Sequence, residues 1–100
     1  MAKRKIIWSH RAKIKLFEIL DFYVERNKSK TYSEKLYRKF VDALKLLQRH
    51  PDLGKKTDID SVRGIIIGDY ILLYESTKDT LFVHVLWDTR QDPDKLEIKK

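Results

Sequence analysis

Residues 62–90 contain three apolar runs: Val62-Arg63-Gly64-Ile65-Ile66-Ile67, Tyr70-Ile71-Leu72-Leu73-Tyr74 and Leu81-Phe82-Val83-His84-Val85-Leu86-Trp87. Gly68-Asp69 and Thr77-Lys78-Asp79-Thr80 join them. Their length and β-branched, aromatic content read as strands, and Gly68-Asp69 suits a tight hairpin in which glycine takes a positive φ. A strand with one face in water alternates apolar with polar residues, whereas these runs are apolar on both faces. Ile65 and Ile67 alternate with Val62, Gly64 and Ile66; Leu72 and Tyr74 alternate with Ile71 and Leu73. Only one helical hairpin lies upstream, enough to cover one face. The pattern therefore predicts a second apolar face that only a partner can bury.

The upstream half supplies that hairpin. Lys3 to Trp8 reads as a short strand. Ser9 is a good N-cap, because its hydroxyl can accept from a free first-turn N–H. Ala12, Leu16, Ile19, Leu20 and Tyr23 then fall on one helical face. Asn27-Lys28-Ser29-Lys30 breaks the helix. Thr31 starts a second one, with Glu34 at capping-box spacing and Leu36, Tyr37, Phe40, Leu44 and Leu47 inward. His50-Pro51 ends it, since a residue before proline avoids the helical region. Pro51 to Asp60 reads as a loop with Gly54 as its flexible point, and Pro93 to Lys100 as a polar tail with one helical turn. The order β-α-α-β-β-β predicts an α+β, two-layer domain spanning residues 1–100, the hairpin packed on a small, mostly antiparallel sheet.

Charge is unevenly distributed. Residues 1–50 carry 14 Lys+Arg against 5 Asp+Glu, and residues 51–100 carry 8 against 10, for a net charge of +7. The basicity belongs to the helical half. It suits a polyanion or an acidic partner, or simply a solvated helix face. The absence of cysteine excludes disulfides and thiolate metal sites. No apolar run is long enough to cross a bilayer, and the N-terminus lacks a signal-peptide core, so a cytoplasmic location is expected, without a membrane partner. His10, His50 and His84 are scattered. Asp88, Asp92 and Asp94 lack the glycine and distal glutamate of a Ca²⁺ loop. Nor is there a glycine-rich phosphate loop. Neither a metal nor a cofactor is expected.

Several segments, taken in order, carry a family resemblance: Ile6-Ile7-Trp8-Ser9 before a helix, His50-Pro51-Asp52-Leu53-Gly54 after the second helix, Val62-Arg63, Gly68-Asp69-Tyr70 with Tyr74, and Val83-His84-Val85-Leu86-Trp87-Asp88-Thr89-Arg90-Gln91. The chain resembles the RelE/ParE superfamily of type II toxin–antitoxin modules, often described as plasmid stabilisation proteins. The resemblance implies a growth-inhibiting toxin held inactive by a cognate antitoxin, which wraps it with an amphipathic helix or an extended arm. It also implies one of two actions: mRNA cleavage on the ribosome, without a metal, in the RelE branch, or poisoning of DNA gyrase in the ParE branch.

Carried over residue by residue, the RelE nuclease set is largely missing. Its post-strand arginine matches Arg90. Its hairpin arginine falls at Ile71, its strand lysines near Ile59 and Ser61, and its terminal tyrosine near Lys95 or Leu96. The closer resemblance is therefore to the ParE branch, with the mRNA endonuclease as alternative and a basic nucleic-acid-binding module as a second. Candidate nuclease residues are Arg63, His84 and Arg90; candidate target or partner contacts are Arg63, Trp87 and Arg90. Each has a structural reading beside the functional one. Arg63 can pair with Glu75 or Asp88, and Arg90 with Asp88 or Asp92. His84, sharing a strand face with Phe82 and Leu86, can be a satisfied interior histidine. Trp87 can be core or an anchor at a contact.

Overall fold

At Ser9 the chain leaves strand β1 (Lys5–Trp8) and enters helix α1 (His10–Asn27) in the computed structural model, which describes residues 3–91. The Ser9 hydroxyl oxygen accepts from the Ala12 N–H at 3.1 Å, the expected cap. The same hydroxyl donates to the His84 carbonyl at 2.7 Å, tying the helix start to a distant strand. Ala12, Leu16, Ile19 and Tyr23 are buried, with Leu20 partly so. Lys28 ends α1 in the left-handed region at φ 51. Helix α2 (Thr31–Arg49) begins where expected, but without the predicted capping box. Lys30 holds the cap position in a helical conformation, and the Ser29 hydroxyl accepts from the Thr31 N–H at 3.2 Å instead. Tyr37, expected inward, is 48% exposed. Ser33 takes the inward place and donates to the Leu20 carbonyl at 2.6 Å, pinning α2 to α1.

A 3-10 turn, Pro51–Leu53, follows α2. Strands β2 (Lys55–Lys56), β3 (Val62–Ile67), β4 (Tyr70–Ser76) and β5 (Thr80–Asp88) complete a five-stranded sheet of order β1-β5-β4-β3-β2. β1 runs parallel to β5, with Ile6 opposite Leu81; every other pair is antiparallel. This is the expected two-layer α+β architecture. β2 was expected as loop: two lysines carry no apolar alternation, and only pairing with Gly64 and Arg63 makes them a strand. Gly68 at φ 60, with Asp69 outside the positive-φ region, makes the β3–β4 connection a turn of the type II′ pattern that suits the twist of antiparallel strands.

The main core lies between the hairpin and one sheet face, where Phe40, Leu47, Leu72, Tyr74, Leu81 and Val83 are almost wholly buried. The other face is not bare, contrary to expectation. Val62, Leu73 and Val85 are buried there, with Ile59, Ile71 and Trp87 packed around them. Ile59 reaches this cluster from the β2–β3 loop, which the Thr57 hydroxyl laces by donating to the Val62 carbonyl at 2.9 Å. Ile66 alone among the β3 isoleucines stays outside, 69% exposed. The β4–β5 register slips by one residue between Leu73–Val85 and Tyr74–Val83, leaving His84 as the extra residue of a bulge. Hence His84 keeps company with Phe82, ring centroids 4.7 Å apart, while Leu86 joins the helix-side core and not His84's face as expected. The polar tail from Pro93 to Lys100, the positions Lys95 and Leu96, and Asp92 and Asp94 lie outside the described residues.

Candidate functional site

Arg63 stands on β3 at the helix side of the sheet, facing the turn after α2. Its guanidinium donates to the Gly54 carbonyl at 2.8 Å and the Asp52 carbonyl at 3.3 Å, and it lies 3.7 Å from the Asp52 carboxylate. Its partner is thus Asp52, not Glu75 or Asp88. Sequence distance hid this pairing, because the 3-10 turn brings Asp52 back beside β3. Tyr74, opposite Arg63 in the register, completes the same corner. Its hydroxyl donates to the Pro51 carbonyl at 2.6 Å and accepts from the Gly54 N–H at 2.9 Å. A Cβ at Gly54 would meet the Tyr74 hydroxyl at 2.5 Å and the Gly64 carbonyl at 2.9 Å, so the Pro-x-x-Gly pattern is a packing requirement. Burial pushes the Tyr74 phenol up, against the opposing pull of the Gly54 N–H and Arg63.

Arg90 follows β5 at the opposite end of the strands. Its Nε and Nη2 reach the two Asp88 carboxylate oxygens at 3.0 and 2.9 Å, and its backbone N–H meets Asp88 at 2.9 Å. The Asp88 alternative for its partner is therefore the one formed. Those hydrogen bonds hold the Asp88 carboxyl below the usual carboxylate range. Asp88 raises Arg90 in turn, helped by Tyr23. Tyr70 opposes Asp88 across the ladder and donates towards the Tyr23 oxygen at 3.4 Å; burial drives its phenol well above normal. From Tyr74, beside Arg63, to Tyr70, beside Asp88, is about 13 Å along β4 at the usual strand rise. Arg63 and Arg90 therefore do not converge on one phosphate-sized point.

His84 lies on the face away from the helices, its Nε2 3.0 Å from Glu75 Oε1. Alternation alone could not have found this pair, because the bulge realigns β5 against β4. Trp87 lies half-buried on that same face, packed on the Val62, Leu73 and Val85 cluster, so it combines a core role with an accessible edge. Among the described residues, no group of three or more His, Asp or Glu side chains is placed to hold a metal ion, and no helix is long and apolar enough to cross a membrane.

A large unfilled apolar surface lies on the other layer. Trp8 of β1, Leu16, Phe17, Leu20 and Val24 of α1 and Tyr37 of α2 line an open groove of about 520 Å³. Lys13, Lys30 and Glu34 stand at its margin, and Phe17 is 57% exposed. The sequence signal for it was available only in part: Phe17 is a large apolar residue that the helix spacing leaves off the buried face, whereas Tyr37 was expected inward and gave none.

A helical hairpin packed on this mixed sheet, with the first strand parallel to the last, is the fold of a ParE-like toxin. Residues 6–93 match the family described as the ParE toxin of type II toxin-antitoxin system, parDE, and the chain belongs to that family. The fold is similar to a solved chain described as "Chromosomal ParDE TA system from P. aeruginosa", with a TM-score of 0.73 and 16% sequence identity over 88% of this chain and 98% of that one. No curated protein matches the sequence at a significant level.

Proposed function

We propose that the chain is the toxin of a type II module in the cytoplasm, neutralised by a cognate antitoxin, and that it acts by binding a protein target such as DNA gyrase. The observation that carries this reading is the state of the cations. RNA cleavage without a metal needs positive charge focused on one developing phosphorane, together with a proton donor and acceptor. Here Arg90 is engaged by Asp88 and Arg63 by the Gly54 carbonyl, at opposite ends of β4. Ile71 and Ser61 stand where the nuclease branch has basic residues. Arg63, Trp87 and Arg90 are left as contact residues for the target.

The groove supports an antitoxin partner. It offers apolar side chains from two helices, a setting that can receive the apolar face of an amphipathic helix, and Lys13 and Lys30 in its lining favour acidic flanks. The similar solved chain is described as a ParDE system, in keeping with such a partner. On this reading the principal docking surface is the helical layer and not the outer sheet face, which Ile59 already partly fills.

One observation favours the endonuclease alternative: the His84–Glu75 pair at 3.0 Å is an arrangement that can move a proton. The two actions separate in cells. Inducing the chain while following mRNA cleavage and DNA damage in parallel should show DNA damage with intact mRNA. Cleavage at discrete ribosomal A-site positions, lost in Arg90→Ala with the fold intact, would falsify the protein-binding reading.

A further inference from the structure

The excess positive charge of the helical half is sorted between the two helices. The solvent ridge of α1 carries Ile14, Phe17, Asp21 and Glu25, all exposed, and is apolar and acidic. The solvent ridge of α2 carries Lys35, Arg38, Asp42, Lys45 and Arg49 in one line at spacings of three and four, with Lys39 beside it. All five cations are exposed, and among the described residues none stands in an ion pair. Only Asp42 interrupts them. At 1.5 Å per residue the line from Lys35 to Arg49 runs about 21 Å. Arg4 extends it at the C-terminal end, its guanidinium donating to the Gln48 carbonyl at 3.2 Å. A ridge serving only solubility would be expected to intersperse both signs.

We propose that the solvent face of α2 binds the phosphate backbone of double-stranded DNA without reading its sequence. The chemistry of the ridge selects this partner. A protein interface needs a desolvated apolar centre, and Leu46 is the only large apolar side chain among these cations. Single-stranded nucleic acid needs aromatic faces for its bases, and Tyr37, the nearest tyrosine, belongs to the groove flank. What remains is a straight row of long, unpaired cations, the pattern that neutralises backbone phosphates by counterion release. The surface lies on the layer opposite Trp87 and includes none of Arg63, Trp87 and Arg90. It therefore stands or falls separately from the toxin reading above.

The test is binding of the purified full chain to a labelled duplex of arbitrary sequence, by fluorescence anisotropy across a salt series. Five phosphate contacts predict a log–log salt slope of about −4.5, a weakening of about 500-fold between about 50 and about 200 mM salt. Arg38→Ala with Lys45→Ala should reduce the slope to about −2.7, about 40-fold over the same range. Both positions are exposed, so thermal unfolding should confirm an intact fold, and Lys45→Arg should bind as the parent does. An unrelated duplex should bind equally well. The proposal is overturned by absence of binding at the lowest salt, by an unchanged slope in the double variant, by tighter binding to a single-stranded RNA homopolymer, or by equal binding to polyglutamate, which would mark a surface for acidic protein.

Discussion

Replacing Tyr74 by phenylalanine isolates the hydroxyl that holds the turn after α2. That oxygen donates to the Pro51 carbonyl at 2.6 Å and accepts from the Gly54 N–H at 2.9 Å, in a side chain only 1% exposed. Each bond contributes about 0.5–1.5 kcal/mol net, and the Gly54 N–H, left buried without an acceptor, adds a desolvation cost of about 1–3 kcal/mol. Two effects oppose this: phenylalanine has no hydroxyl to desolvate, and the half-buried Pro51 carbonyl can turn to water. The expected loss is about 2–3 kcal/mol, which lowers Tm by roughly 8–20 °C in a domain of this size. Urea unfolding followed through Trp8 and Trp87 fluorescence measures it, with the denaturant slope unchanged. A loss under about 0.5 kcal/mol at constant slope would refute the claim that the corner depends on this oxygen. Gly54→Ala provides an internal comparison. Its Cβ would also meet Tyr74 Cε1 at 2.8 Å and the Gly64 carbonyl at 2.9 Å, contacts that survive removal of the hydroxyl. It should therefore destabilise more than Tyr74→Phe, and should still do so in the Tyr74→Phe background.

The remaining predictions concern charge and contact. Phe17→Asp, at an exposed groove position, should leave thermal unfolding nearly unchanged yet weaken capture of the cognate antitoxin by more than tenfold, about 1.4 kcal/mol; undiminished capture would remove the groove from the interface. Because Arg90 depresses the Asp88 carboxyl, the stability it contributes is present above the unfolded carboxylate pKa and is lost as pH falls through the lower folded value. Asp88→Asn should therefore flatten the acid limb of the stability–pH curve and lower the neutral-to-alkaline limb without changing its slope. The Tyr70 phenol is raised, so its contribution is present below the unfolded tyrosine pKa and declines as pH rises beyond it; Tyr70→Phe should make alkaline unfolding shallower, as followed by circular dichroism. Arg63→Ala should cost about 1–2 kcal/mol through its charged bond to the Gly54 carbonyl. Any fall in its toxicity should track target capture once folded protein is matched; a fall in toxicity with capture unchanged would count against a contact role.

What was legible in the sequence was local. Ser9 caps the helix because the capping group and the N–H it receives are three residues apart, and Gly68 marks its turn because a positive φ is a property of one residue. Several failures are cases where another segment decides. Lys55 and Lys56 become a strand only because Arg63 and Gly64 stand beside them. Ile59 covers the outer face only because Thr57 folds its loop over. The Thr31–Glu34 spacing was right for a capping box, but Lys30 adopted helical angles and moved the boundary. At the candidate site the pattern Phe82-Val83-His84-Val85-Leu86 reads as simple alternation, and a single-residue bulge reassigns Leu86 to the helix side and pairs His84 with Glu75. Arg63 was recognised as a candidate, but its partner was not, because Asp52 reaches it through a turn.

The parallel pairing of β1 with β5 also sets an order in time. Ile6 must wait for Leu81, and the Ser9 hydroxyl for the His84 carbonyl, so the edge of the sheet closes only when nearly the whole domain has left the ribosome. The helical hairpin, made of contacts near in sequence, can form long before. Nascent chains halted at increasing lengths should therefore gain protease resistance in the hairpin early and across the sheet only after β5 emerges; early resistance of β1 would contradict this. Late closure is a built-in delay: a message cut short before β5 yields fragments whose first strand has no place to pair, and the sheet edge appears only once β5 has been made.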